Sequence, residues 1–308
     1  MSRLFIILNG ARRPWRADGR LAQRLVAVAE AAGHTVRLEV SSQPDAGVAL
    51  LDEARAWNAD TLWIGGGDGT AHILVNAARE DQFAIGVLPM GTVNALARCL
   101  GLPMDPIKAA EVLLRSRIRA FRPLTVGGRL ALCFVSAGFD ARVVHGVRSV
   151  GGLKRWIGKY AYVAAALRQM LFLPPVPAFD VLVDEQTAQN TARYRGLLVS
   201  RISNYAGFPL FHGAGADPFR LQWFGLQGGN PLDLAWLVLQ HRFQGLHQPN
   251  MALSLDIHPS DKGSPIHFQA DGEAVELEPG PVRIAVSESP VYLLAPADAA
   301  HGMAFEDG

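Results

Sequence analysis

The chain has 308 residues, enough for two domains of ordinary size with a core each. Its formal net charge of +1 gives no global field, so composition offers no case for a nucleic-acid or polyanionic partner. Cys99 and Cys133 both sit in apolar runs without a Cys-x-x-Cys partner, which argues against a zinc site and predicts buried thiols in a reducing compartment.

The chain opens on a short apolar run, residues 4–8, followed by Asn9-Gly10. That run is too short for a signal-peptide core, and no stretch reaches the roughly 20 apolar residues that span a bilayer, so a cytoplasmic chain is expected. Up to about residue 120, strands at 4–8, 35–40, 61–64 and 84–88 alternate with helices at 20–32, 48–57 and 71–79. Leu21, Leu25, Val28 and Ala29 share one face of the helix at 20–32, and Gly33 ends it. Asp105-Pro106 reads as a cap and a first-position proline, starting a helix to about Arg115. This alternation predicts an α/β domain over residues 1–120, with an open, mostly parallel sheet and helices on both faces.

From about residue 121 the rhythm changes. Segments 129–137, 179–183, 195–200, 219–223, 252–258, 266–269 and 274–278 alternate or are β-branched, interrupted by helices at 153–172 and 231–244. A mainly antiparallel, sandwich-like second domain over 121–287 is expected.

The most informative segment is Gly65-Gly66-Gly67-Asp68-Gly69-Thr70, placed between the strand at 61–64 and an amphipathic helix. Glycines let the backbone approach a polyphosphate and take φ > 0, and the helix start offers free N–H groups to an anion. A lone Asp68 there repels phosphate unless a divalent cation lies between them, which points to nucleotide–magnesium chemistry. A capping aspartate in a tight turn is the plainer alternative. The segment is not a G-x-x-x-x-G-K-[ST] loop, and it fails the G-x-G-x-x-G pattern at its third position. A second strand–turn–helix unit follows at 83–98, with Gly91, Thr92 and Asn94 in its turn. Strand C-terminal ends are where open α/β sheets bind ligands.

Gly-Gly-Gly-Asp-Gly-Thr followed by Pro89-x-Gly91-Thr92-x-Asn94-x-x-Ala97-Arg98 resembles the catalytic domain of diacylglycerol kinases, a group that includes bacterial lipid kinases and sphingosine kinases. Gly138-Phe-Asp-Ala-Arg-Val143, the basic segment 154–162 and Asp271-Gly272-Glu273 extend the resemblance over most of the chain. It implies an ATP- and Mg2+-dependent kinase acting on a lipid hydroxyl at the membrane surface. It also implies that segments 282–286 and 291–294 return to the first domain, with 288–308 packing on it. The phosphate cradle is assigned to Gly66, Gly67, Gly69, Thr70, Gly91, Thr92 and Asn94, with Asn9 at the position of the family's Asn-Pro turn. Gly69 in particular is expected to take φ > 0 and leave room for phosphate. Arg12, Arg13 and Arg16 either reach the phosphates or form a solvated basic loop.

Asp68 is expected to act through magnesium or on the attacking hydroxyl, and Glu273 as general base. Two departures stand out. Ala95 occupies a position where many bacterial relatives have Asp, and Asp217-Pro-Phe-Arg220-Leu replaces an Asp-Asp-Gly-x-Leu segment that helps hold a structural metal, leaving Asp217 a weak ligand.

The aromatic and basic residues of 154–162 suit either an anionic membrane surface or a core helix with a cationic edge. His212 reads as a loop histidine, and His241, His247 and His258 lack metal-ligand spacing. A homodimer is a further expectation. The competing functions are an NAD-kinase-type enzyme with a soluble substrate and a nucleotide-binding regulatory protein.

Overall fold

A computed structural model describes residues 2–10, 19–41, 46–142, 176–185, 192–205, 208–209, 217–227, 250–261, 265–297 and 302–306. The expected helices at 153–172 and 231–244 lie outside the described residues. So do Arg12, Arg13, Arg16, His212, His241 and His247.

The first sheet is six-stranded, with β1 (Arg3–Asn9), β2 (Thr35–Ser41), β3 (Thr61–Gly66), β4 (Ala84–Pro89), β5 (Arg117–Phe121) and β20 (Val291–Ala295) in the order β2-β1-β3-β4-β20-β5. All pairs are parallel except β20 with β5. Its helices are α1 (Arg20–Ala31), α2 (Ala46–Ala56), α3 (Asp68–Ala77), α4 (Ala95–Cys99) and α5 (Pro106–Leu113). Residues 4–9 of β1 are buried throughout, as a parallel strand covered on both faces requires, whereas edge strand β2 is mostly half-buried. Leu25 and Ala29 bury the inner face of α1, and the Asp105 carboxylate caps α5 by accepting from Ile107 N and Lys108 N at 3.0 Å each.

The remaining strands build two six-stranded antiparallel sheets. One holds β6 (Leu124–Val126), β7 (Arg129–Ala131), β9 (Phe179–Val183), β10 (Ala192–Tyr194), β16 (Ser254–Pro259) and β19 (Val282–Val286). The other holds β8 (Phe134–Gly138), β11 (Gly196–Ser200), β14 (Leu221–Leu226), β15 (Asn250–Ala252), β17 (Phe268–Ala270) and β18 (Glu273–Val275). A short pair, β12 (Asn204–Tyr205) with β13 (Phe208–Pro209), stands apart. Phe179, Leu255, Ile257, Val135 and Phe268 come from both sheets into one apolar core, separate from the core of the first sheet.

Three boundaries differ from expectation. The segment 282–286 does not return to the first sheet: β19 pairs with β16 and β6, and only 291–295 crosses back, between β4 and β5. The stretch 129–137 is broken at Leu132 and Cys133, whose N–H groups bond to the Asp271 carboxylate in place of a strand neighbour. Helix α3 begins at Asp68, so Asp68 and Gly69 belong to its first turn rather than to a preceding loop.

The two halves are joined through α3 and β7. Asn76 accepts from Leu130 N and donates to Leu130 O, both at 2.8 Å, as a paired strand residue would. Both cysteines are buried and outside any disulfide, and burial pushes the Cys133 thiol well above its ordinary range.

Candidate active site

The C-terminal ends of β1, β3 and β4 lie side by side and deliver Asn9, Gly66 and Pro89 to one edge of the sheet. Asn9 Nδ2 donates to Thr70 Oγ1 at 2.9 Å with both residues buried, tying the end of β1 to the first turn of α3. Met90 N donates to Gly66 O at 2.8 Å, which joins the two turns. A Cβ on Gly91 would lie 2.5 Å from Gly67 Cα, so the turns approach this closely because residue 91 is glycine. Asn94, at φ 51°, closes its own turn: Oδ1 accepts from Gly91 N at 2.8 Å and Nδ2 donates to Gly91 O at 3.0 Å. Its amide shapes the loop, while Thr92 is exposed at the tip.

Asp68 is half-buried where α3 and α4 start. Its Oδ1 accepts from Leu96 N at 3.2 Å, and Ala95 N bonds to the same carboxylate. Burial pushes its carboxyl above the usual aspartate range; the two N–H groups pull it back, and the charge of Asp271 pushes it up again.

Gly69 does not have φ > 0. It sits in the helical first turn, and a Cβ built there would lie 3.0 Å from Glu273 Oε1. The absent side chain therefore makes room for Glu273, a residue some 200 positions away in the sequence.

Ala270 pairs with Glu273 across β17 and β18, which leaves Asp271 (φ 53°) and Gly272 (φ 85°) as a two-residue hairpin turn. Two positive φ values in succession are what a type I′ turn needs, and Asp-Gly supplies them. The two acids therefore do not share an extended face. Asp271 turns inward, where its oxygens accept from Leu132 N (2.7 Å), Cys133 N (2.8 Å), Phe134 N (3.0 Å) and His72 Nδ1 (3.0 Å). Glu273 turns to Gly69. Sequence reasoning passed over both Asp271 as an anchor and His72. The Asp-Gly pair signalled the turn, but nothing local marks a histidine whose partner is 199 residues distant.

Asp217 does not fit a metal ligand. Its Oδ1 accepts from Phe219 N at 2.8 Å and its Oδ2 pairs with Arg220 at 3.4 Å. The neighbouring carbonyls turn to the buried guanidinium of Arg201, which donates to Asp217 O (3.2 Å), Pro218 O (2.8 Å), Arg220 O and Arg122 O (3.0 Å). Burial pushes that guanidinium down to about 10, still far above neutrality, so a permanent positive charge already fills the place of a cation. Among the described residues no group of three His, Cys, Asp or Glu side chains is arranged to hold a metal. Asp68 stands differently: a single carboxylate beside two glycine turns, it has the donor chemistry that suits magnesium. A separate open cleft lined by Arg55, Asn58, Asp60, Asp81 and Tyr292 lies at the opposite end of the sheet, away from the glycine turns.

Residues 3–126 match the family model described as the diacylglycerol kinase catalytic domain. The chain is 34% identical over 135 residues to a probable lipid kinase YegS-like of Chromohalobacter salexigens, covering 42% of this chain and 43% of that protein. It is 29% identical over 168 residues to a diacylglycerol kinase of Staphylococcus carnosus, covering 53% of each. The chain thus spans about half the length of the curated relatives it matches. In fold it is similar to a putative diacylglycerol kinase from Bacillus anthracis, with a TM-score of 0.75, 16% identity and coverage of 97% of this chain and 98% of that one. It is also similar to an NAD kinase from Archaeoglobus fulgidus in complex with ATP, with a TM-score of 0.55, 14% identity and coverage of 97% and 95%.

Proposed function

From the match of residues 3–126 to the diacylglycerol kinase catalytic domain model, we infer that the chain is an ATP-dependent lipid kinase. It transfers the γ-phosphoryl group to a primary hydroxyl of a diacylglycerol-like or sphingoid lipid. The observation that carries this reading is the arrival of Glu273, from the second half of the chain, at Gly69 in the first turn of α3.

Phosphoryl transfer is mostly positioning and charge stabilisation. The glycine turns at 66–70 and 91–94 and the start of α3 present backbone to the phosphates. Asp68 is the residue that would hold magnesium brought in with the nucleotide, and the ion would supply charge neutralisation there. The lipid hydroxyl oxygen bonds to the γ-phosphorus as the bond to the β,γ-bridging oxygen breaks, ADP leaves, and the hydroxyl proton passes to Glu273. Among the described residues no helix is long and apolar enough to cross a membrane.

Incubating purified protein with labelled ATP and a panel of dispersed lipids tests the reading, with a labelled phospholipid as the expected product. Label on NAD instead would support the soluble-substrate alternative, which shares the fold at a TM-score of 0.55. Nucleotide binding without transfer would support a regulatory protein. Glu273→Gln is expected to lower kcat by about 10²-fold or more while calorimetry finds ATP affinity little changed. A loss of ATP affinity in proportion to activity would assign Glu273 to the nucleotide–metal site and make Asp68 the better base.

A further inference from the structure

We propose that His72 is a positioning residue for Glu273, acting through Asp271. The proposal rests on the reading that Glu273 takes the acceptor proton. Gly69 and His72 are three positions apart on α3, so they face the same side of the helix, one turn above the other. The two acids of the hairpin turn meet that side: Glu273 at Gly69 and Asp271 at His72. Helix and turn therefore touch at two adjacent points.

The two points differ in kind. At Gly69 the helix offers Glu273 space, with Oε1 at 3.0 Å from where a Cβ would stand. At His72 the helix offers a bond. An ionised carboxylate only accepts, so the tautomer that satisfies this contact carries its proton on Nδ1 of His72 and donates to Asp271 Oδ2 at 3.0 Å. Both residues are buried, His72 at 4% exposure and Asp271 at 7%, where such a bond is shielded from water.

On its far side the turn is fixed to the second half of the chain. The Asp271 carboxylate takes three main-chain N–H groups, Asp271 N donates to Phe134 O at 3.0 Å, and Gly272 N donates to Gln269 Oε1 at 2.7 Å. The turn is thus rigid within its own sheet. The His72 bond, one turn before the Asn76–Leu130 pair on the same helix, registers that rigid unit against the end of α3 that carries Asp68, Gly69 and Thr70. Without it the turn keeps its local structure, but the end of α3 that faces Glu273 is held less closely to it.

The experiment uses the intact chain. His72→Leu is expected to lower kcat for lipid phosphorylation by about 10- to 100-fold, with ATP affinity by calorimetry unchanged within about twofold. It is also expected to speed hydrogen exchange at the Leu130 amide, which bonds to Asn76 Oδ1 across the same joint between helix and strand. His72→Asn places an N–H donor on the same Cγ and is expected to restore both readouts. His72→Gln sets the donor one bond further out and is expected not to. The Asn and Gln variants carry the test if the leucine variant does not fold, since both keep a polar donor at this position. Wild-type kcat in His72→Leu, or a loss in His72→Asn as deep as in His72→Gln, overturns the proposal. A wild-type protein that phosphorylates no lipid overturns the kinase reading instead. The exchange rates then decide on their own: unchanged protection in His72→Leu and His72→Gln would remove His72 as the anchor of the turn.

Discussion

Asp68 and Asp217 stand in the two segments where resemblance to lipid kinases anticipates a cation, and their surroundings are opposite. The groups that act on the Asp68 carboxyl are burial, the N–H groups of Ala95 and Leu96, and another carboxylate, Asp271. At Asp217 the carboxylate pairs with Arg220, and the carbonyls of 217, 218 and 220 converge on Arg201. A cation at Asp68 has to come from outside the chain; at Asp217 the chain supplies its own. The same residue type therefore carries a different meaning in each place, set by what its neighbours offer.

The largest effect expected from this contrast is at Asp68. Asp68→Asn keeps the shape and an acceptor for Leu96 N but loses the charge, so kcat should fall by about 10²-fold or more while the protein stays folded. Wild-type turnover in a folded variant would remove this carboxylate from the mechanism.

Arg201→Met tests the other side of the contrast. Four carbonyls lose their donor, and unfolding free energy should fall by about 2–4 kcal/mol, read by denaturant titration. Wild-type Tm should be the same with EDTA or with magnesium. A magnesium-dependent Tm in the wild type would return a metal to the 217–220 segment.

A smaller effect sharpens the contrast through pH. Burial raises the Asp68 pKa above its ordinary 3.8, so the folded chain holds a proton there more readily than the unfolded chain. Within that window wild-type stability falls as pH rises. The stability of Asp68→Asn relative to wild type should therefore grow upward from about pH 4 and level off once Asp68 is ionised in both states. A difference that stays flat across a pH series would mean that the N–H groups of Ala95 and Leu96 offset the burial. The smallest effect belongs to Asp217→Asn. Its ion pair with Arg220 is partly exposed and an amide oxygen still accepts from Phe219 N, so the change should stay within about 1 kcal/mol.

The first sheet was legible in the sequence because its signals are local. Continuous apolar runs such as 4–8, a periodic face such as Leu25 and Ala29, and the Asp105-Pro106 cap each act within a few residues. The break at Leu132 and Cys133 was not legible, because the acceptor that replaces their strand partner is the side chain of Asp271. Strand β20 shows the same limit: its apolar run marks a strand, while its place between β4 and β5 is chosen by the sheet edge that remains open.

By itself the sequence determined the alternation of strands and helices and the two glycine turns, since each follows from backbone sterics and short-range burial. Only the tertiary structure decided that Gly69 makes room for Glu273, that Asp271 takes the N–H groups of residues 132–134, and that Arg201 supplies the charge beside Asp217. Those outcomes depend on groups brought together from distant parts of the chain, where burial makes an unpaired carboxylate or carbonyl costly and fixes which partner each one takes.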